Sequence, residues 1–230
     1  MLENIKHIFF DLDDTLWDFE KNSIHVLQQL FLEFDLTDKL KTDFDTFHTN
    51  YKKTNSKLWL QYAKKEIDKQ YLRNHRFNLV FNQFDYDNYD ENLIITDHYL
   101  NRAPNGTHLK ENCIEVLDYL KQKYQLHIIT NGFKQIQFIK IDGCGLRNYF
   151  TNIIISEEHN LTKPDKEIFR LAESFAGAKK DECMMIGDNF ESDVEGAINA
   201  GWQAIYFSED TSRKFEGKQI TGLQQLKQLF

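Results

Sequence analysis

The sequence predicts an α/β protein: a doubly wound, Rossmann-like parallel sheet core carrying an inserted all-helical domain. Three observations predict it. Five short apolar runs punctuate the chain, helical patterns separate the later runs, and the stretch from about Trp17 to Arg102 shows helical periodicity without any such run.

The first run, Ile5 to Leu12, reads as a strand, since a continuous apolar run suits a parallel strand covered on both faces. In the helical stretch that follows, Ile24, Leu27, Leu30, Phe31 and Phe34 recur at the spacing of one helix face, and Trp59, Tyr62, Tyr71, Phe77, Phe81, Phe84, Tyr86 and Tyr89 crowd its later part. Arg102-Ala103-Pro104-Asn105-Gly106 is turn chemistry and marks the return to the core. The expected boundaries are therefore a core of residues 1–17 and 103–230 with an insert of residues 18–102. Helical patterns at Cys113 to Lys123, Lys134 to Ile141, Lys166 to Ala176 and Asp193 to Ala200 alternate with strands at Leu126 to Thr130, Ile153 to Ser156, Cys183 to Ile186 and Ala204 to Phe207. Gly222 to Phe230 reads as a short closing helix.

With 230 residues and 41% apolar content, the chain can bury a sizeable core. Its net charge of −8 disfavours a nucleic-acid duplex or an anionic membrane as partner, because both attract excess Lys and Arg. A small diffusible ligand is expected instead, and an anionic one needs a local cluster of donors, a metal, or both. Cys113, Cys144 and Cys183 are odd in number and widely spaced, which reads as reduced thiols. The start of the chain lacks the pattern of a signal peptide, and no apolar segment approaches the roughly 20 residues that span a bilayer. A cytoplasmic location is the expectation.

Ligands of doubly wound sheets bind outside the carboxyl ends of the strands. Polar residues sit there in this chain. The first strand ends in Asp11-Leu12-Asp13-Asp14-Thr15, the second in Thr130-Asn131-Gly132, and the fourth in Gly187-Asp188 with Asp193 five residues on; Lys163-Pro164 follows the third. Singly, each is an ordinary turn, cap or surface feature. None of the eight histidines shows paired metal-ligand spacing, and His7 and His127 fall in strand patterns as core residues.

Taken together and in this order, the motifs resemble those of the haloacid dehalogenase (HAD) superfamily: DxDxT, a Ser or Thr after the second strand, a Lys, and GDxxxxD. The insert resembles that superfamily's C1 cap. The resemblance implies an Mg²⁺-dependent phosphatase in which Asp11 attacks phosphorus to form an aspartyl-phosphate and Asp13 serves as general acid, then base. For Asp13 to hold a proton, neighbouring carboxylates or burial must raise its pKa, and Asp11 and Asp188 are expected to supply those charges. Like charges a few ångströms apart repel by about 4 kcal/mol at an effective dielectric of 20, so a divalent cation is required as well. The implied Mg²⁺ ligands are a side-chain oxygen of Asp11, the backbone carbonyl of Asp13, and Asp188. Lys163, the Thr130 hydroxyl and amides around Asn131 would hold the nontransferring oxygens. Asp193 would orient Lys163 or a metal-bound water. Asp14 reads as a turn or cap residue, and Thr15 as one that shapes the loop.

Further segments, Ile129-Thr130-Asn131-Gly132-Phe133, Gly145-Leu146-Arg147-Asn148-Tyr149-Phe150, Ile155-Ser156-Glu157-Glu158 and Lys163-Pro164-Asp165-Lys166-Glu167-Ile168-Phe169, resemble the subgroup of pyrimidine and noncanonical nucleoside 5′-monophosphatases. Leu58-Trp59 and Arg76-Phe77 are similar to that pattern too, whereas Ser56-Lys57 departs from it. The expected substrate is a small phosphate monoester, a nucleotide by this resemblance, with Trp17, Phe19 or Trp59 as stacking surfaces for a base and Arg76 either contacting it or forming a surface ion pair. The competing readings are a sugar-phosphate phosphatase, a phosphosugar mutase, or a noncatalytic phosphate-binding module.

Overall fold

The structure, a computed structural model, describes residues 4–213, 215 and 217–230. After strand β1 (His7–Phe10) the chain runs through helices α1 (Phe19–Glu33), α2 (Leu36–Leu40), α3 (Phe44–Ala63), α4 (Lys69–Phe81) and α5 (Tyr89–Arg102). Helix α6 (Cys113–Leu120) then leads to β2 (Gln125–Thr130), α7 (Lys134–Gly143), β3 (Asn152–Ile155), α8 (Ser156–His159) and α9 (Lys166–Ala176). The chain closes with β4 (Cys183–Gly187), α10 (Gly196–Ala200), β5 (Gln203–Phe207), β6 (Lys218–Ile220) and α11 (Leu226–Leu229). Two units result: one comprises the chain up to Phe19 together with Thr107–Phe230, and the other is Glu20–Gly106.

The sheet of the first unit runs β3-β2-β1-β4-β5-β6, every pair parallel. Alternation along β1 sorts its side chains to opposite faces. Ile8 and Phe10 join a cluster that includes Val116, Leu117 and Leu120 of α6, Ile141 of α7 and Leu226 of α11. Phe9 joins another cluster on Ile168, Phe169 and Ala172 of α9, Ala197 of α10 and Trp202. Both faces are thus covered, and β1 and β4 are buried throughout. His7 and His127 lie in this sheet as expected: His7 Nδ1 is 3.2 Å from His127 Nε2, and Asn152 Nδ2 is 3.1 Å from His127 Nδ1. Burial, with His7 adding to it, lowers the His127 pKa to about 4.

Two features differ from the sequence expectation. A sixth strand, β6, lies at the sheet edge. It has only three residues, Lys-Gln-Ile, too short and polar for a buried-strand pattern, and an edge strand needs apolar cover on fewer sides. The helix expected from Asp193 is preceded by a π-helical turn, Phe190–Glu195, so Asp193 sits in a widened turn rather than at a helix start.

The second unit is helical throughout its secondary structure. Asp43, Asp68 and Asn88 begin α3, α4 and α5 by accepting hydrogen bonds from the backbone N–H groups of Thr46 (2.8 Å), Tyr71 (2.7 Å) and Glu91 (3.2 Å). Its core is aromatic, built on Phe31, Phe47, Tyr51, Phe77, Phe81 and Tyr99 with Leu27, Leu30 and Val80. Among the described residues of the chain, no helix is long and apolar enough to cross a membrane.

Phe9 is fully buried between His127 (centroids 4.4 Å) and Trp202 (4.5 Å). Truncating it to alanine leaves a cavity beneath the central strand, and Phe9→Ala is expected to lose about 3–5 kcal/mol in denaturant unfolding.

Candidate active site

Residues at the carboxyl ends of β1, β2 and β4 come together because these strands are adjacent and in parallel register. The Asp11 N–H still donates to the Ile186 carbonyl (2.9 Å), so Asp11 is the last residue of the first strand held by the sheet. The chain then doubles back. Leu16 and Trp17 N–H groups donate to the Leu12 carbonyl (3.0 and 2.8 Å), the Asp14 N–H donates to the Trp17 carbonyl (2.8 Å), and Asp14 takes the left-handed conformation at φ 58°. Asp14 is tied off to Lys110 at 3.1 Å. Asp11 and Asp13 thereby project from one rigid loop.

Lys163 lies at the centre. Its ammonium is 2.6 Å from Asp11 Oδ1 and 2.6 Å from Asp193 Oδ1, and its side chain is 1% exposed. Asp193 is itself fixed: Asn189 N–H donates to Oδ2 (3.0 Å) and the Ser192 hydroxyl to Oδ1 (3.1 Å). Gly187 makes room for it, since a Cβ there would lie 2.2 Å from Asp193 Oδ2. The Lys163 backbone is buckled to the second strand, with Lys163 N–H donating to Asn131 Oδ1 (2.9 Å) and Asn131 Nδ2 to the Lys163 carbonyl (2.9 Å). The Ser156 hydroxyl donates a second bond to Asn131 Oδ1 at 2.7 Å. The Asn131 side chain is therefore committed to the loop, which leaves its backbone as the part available to a ligand.

Thr15 ties the first loop to the fourth strand: its hydroxyl donates to Asp188 Oδ1 (2.9 Å) and accepts from the Asp188 N–H (3.1 Å). Asp11, Asp188 and Asp193 each offer a carboxylate oxygen, and these atoms lie within 4.8 Å of one another. Burial, opposed by Lys163 and reinforced by Asp193, raises the Asp11 pKa to about 7. Burial, with Asp11 and Asp193 adding to it, pushes Asp188 well above the usual carboxylate range. For Lys163, burial works against the charge, but Asp11 and Asp193 outweigh it and hold its pKa above that of an ordinary lysine. The pocket is thus short of positive charge. An oxygen-only donor set with surplus negative charge fits a hard divalent cation such as Mg²⁺. Since Asp193 is engaged by Lys163, Ser192 and Asn189, Asp11 and Asp188 are the side chains best able to hold one.

Asp13 is surrounded differently from the sequence expectation. Its carboxylate accepts from Lys140 Nζ (2.6 Å) and Gln137 Nε2 (2.9 Å), so cationic and amide groups of α7 face it rather than carboxylates alone. Gln137 Nε2 also donates to the Thr130 hydroxyl oxygen (2.6 Å), joining Asp13 to the second strand. Gly132 permits this, as a Cβ there would lie 2.1 Å from Gln137 Nε2. Lys140 is nearly buried, and its ammonium lies 4.5 Å from the Trp17 ring centroid. Trp17 is 1% exposed with Lys140 over its ring, so it packs as core instead of offering an open stacking face. Sequence reasoning missed Gln137 and Lys140. Their only signal is a polar pair at i, i+3 within the helical pattern Lys134 to Ile141.

In the helical unit, Trp59 is half-buried and packs edge-on against Tyr62 at 5.8 Å. Arg76 is buried, not a surface ion pair, and its guanidinium carbon lies 5.7 Å from the Tyr99 ring centroid.

Comparison with known proteins agrees with this arrangement. The haloacid dehalogenase-like hydrolase model matches residues 5–201. The chain belongs to that family. It is 32% identical to pyrimidine 5′-nucleotidase YjjG of Escherichia coli (strain K12), with 96% of each chain covered. It is also 32% identical to pyrimidine 5′-nucleotidase PynA of Streptococcus pneumoniae, covering 88% of this chain and 84% of that one. Among solved structures, the HAD hydrolase YfnB from Bacillus subtilis bound to magnesium superposes with a TM-score of 0.89 at 23% identity over 99% of both chains, which shows the shared fold.

The raised Asp11 pKa carries a sign that can be measured. In the metal-free protein the folded chain keeps a proton that the unfolded chain releases near pH 4, so this contribution to stability is present below that pH and is lost as pH rises towards about 7. Asp11→Asn removes the buried charge. In chelator its melting temperature is therefore expected to fall less between pH 5 and pH 8 than that of the unsubstituted protein.

Proposed function

We propose that this chain is an Mg²⁺-dependent phosphatase of small phosphate monoesters, with nucleoside 5′-monophosphates as its substrates, working through an aspartyl-phosphate on Asp11. The observation that carries the proposal is the Lys163 ammonium held at 2.6 Å from both Asp11 and Asp193 at the carboxyl ends of the strands, beside Asp188. The chain is a HAD-family phosphatase. Nucleotide specificity is supported by its likeness to the two pyrimidine 5′-nucleotidases.

A phosphate monoester resists attack because its own charge repels nucleophiles, so catalysis is positioning and neutralisation. Lys163 aims the Asp11 carboxylate and leaves one of its oxygens to attack phosphorus as the bond to the leaving oxygen breaks. Mg²⁺, held by Asp11, Asp188 and the Asp13 carbonyl, would supply the positive charge that lets two anions meet. The Thr130 hydroxyl and the backbone amides after it hold the nontransferring oxygens. Asp13, anchored by Gln137 and Lys140, gives a proton to the leaving oxygen. It then takes one from the water that attacks phosphorus, releasing inorganic phosphate and restoring Asp11. Residues 18–102 act as the cap that selects the leaving group, and the surroundings are those of a soluble cytoplasmic enzyme.

With Mg²⁺, phosphate release from nucleoside monophosphates is expected, with loss on chelation and recovery when Mg²⁺ is restored. Asp11→Asn should lower kcat roughly 1,000-fold or more while the chain stays folded; unchanged turnover would remove Asp11 from the role of nucleophile.

Lys140→Met removes one of the two side chains that hold the Asp13 carboxylate in place, leaving Gln137 to orient it. A fall in kcat of about 10- to 100-fold is expected for alkyl phosphates, and a smaller fall for p-nitrophenyl phosphate, whose leaving group needs little protonation. Equal losses on the two substrates would show that Lys140 does not act through proton delivery.

A further inference from the structure

Gln137 is fully buried, and a single nitrogen of its side chain makes two bonds: Nε2 donates to Asp13 Oδ2 (2.9 Å) and to the Thr130 hydroxyl oxygen (2.6 Å). A primary amide has two N–H groups on that nitrogen, and both are spent here. Charge excludes the opposite orientation, which would set the amide carbonyl oxygen against the Asp13 carboxylate. The orientation adopted leaves Gln137 Oε1 buried without a hydrogen-bond partner. A buried acceptor left unpaired is destabilising, so the two donors are aimed at Asp13 and Thr130 against a cost to folding.

Thr130 is confined to one role by this arrangement. Its hydroxyl oxygen accepts from Gln137 Nε2 and, at 3.2 Å, from the Gly132 N–H. Two donors fill the two lone pairs of a hydroxyl oxygen, so the O–H is left to donate, in a direction away from both. Among the described residues no acceptor takes that proton. Asp13, on the other side of the same nitrogen, has a partly exposed side chain that Lys140 holds from the next turn of α7. The Thr130 hydroxyl oxygen and a carboxylate oxygen of Asp13 thus each lie within 2.9 Å of one fixed atom.

We infer that Gln137 is a positioning residue, which holds Asp13 and Thr130 at a fixed spacing and commits the Thr130 hydroxyl to donating its proton to an oxygen of the bound phosphate. A donor oriented before the ligand arrives needs no rearrangement when charge builds on that oxygen. Without Gln137 the hydroxyl can turn, and a lone pair facing a phosphate oxygen repels it. The inference rests on the phosphatase reading for the identity of the oxygen, while the coupling of Gln137 to Thr130 belongs to the chain itself.

The test is a double-mutant cycle on the whole chain, read by calorimetric titration with inorganic phosphate in the presence of Mg²⁺, so that no turnover is needed. Gln137→Met is expected to weaken phosphate binding about fivefold, the size of one misdirected hydrogen bond. The same loss is expected in a Thr130→Ser background, which keeps a hydroxyl, and a loss of less than about twofold in a Thr130→Val background, which has none. Gln137→Leu, carried through the same cycle, guards against an effect peculiar to methionine. A role confined to packing would lower the melting temperature of both Gln137 variants and weaken phosphate binding equally in all three backgrounds. Such equal losses, unchanged affinity in the Gln137 variants, or no saturable phosphate binding by the unsubstituted protein overturns the inference. Phosphate binding that follows the expected pattern, in a protein that hydrolyses no phosphate monoester, would uphold the role of Gln137 and sink the phosphatase reading instead.

Discussion

The ion pair of Lys163 with Asp11 and Asp193 is the constraint on which the rest of the sheet unit depends. A fully buried ammonium is tolerable only when carboxylates pair it closely, and each of these carboxylates is itself tolerable only beside the ammonium. The three residues come from three different strand ends, so satisfying the charges requires β1, β4 and the loop after β3 to be in register. Asn131, itself fixed by Ser156, holds the lysine backbone from one side, and Asn189 and Ser192 hold Asp193 from the other. The Asp11 carboxylate, the proposed nucleophile, is thus held through Lys163 by bonds that begin on neighbouring loops.

The same loop places two neighbouring carboxylates in different surroundings. Asp11 sits in a buried, anion-rich pocket that calls for a cation, whereas Asp13, two residues on, is held by the cationic and amide groups of α7. Environment, rather than residue type, distinguishes the two, and the proposed roles of attacking group and proton carrier follow that difference. Thr15 extends the arrangement by clamping Asp188 to the loop, so a cation bound at Asp188 and the aim of Asp11 are mechanically linked.

Much of this was legible in the sequence because strand ends are legible. Continuous apolar runs locate β1, β2 and β4, and in a parallel sheet whatever polar residue follows each run is delivered to one edge, which brings Asp11, Thr130 and Asp188 together from distant positions. Lys140 and Gln137 were not legible, since a helix that packs against a sheet shows its apolar stripe clearly but gives no sign of which polar side chains reach around its end. β6 was lost through its brevity and polarity. Arg76 misled for a different reason: an arginine at helical spacing carries no sequence mark of burial, and the Tyr99 ring near it belongs to another helix, α5.

The position of β1 bears on how the chain comes to be made. It emerges first yet occupies the middle of the sheet, with β2 and β4 as its neighbours, and the whole helical unit is synthesised before either arrives. Its apolar residues and both its hydrogen-bonding edges must therefore wait, solvated or sheltered by chaperones, while α1 to α5 form their more local contacts. An insertion after the first strand thus separates the birth of the Asp11 loop from the moment at which it acquires its geometry.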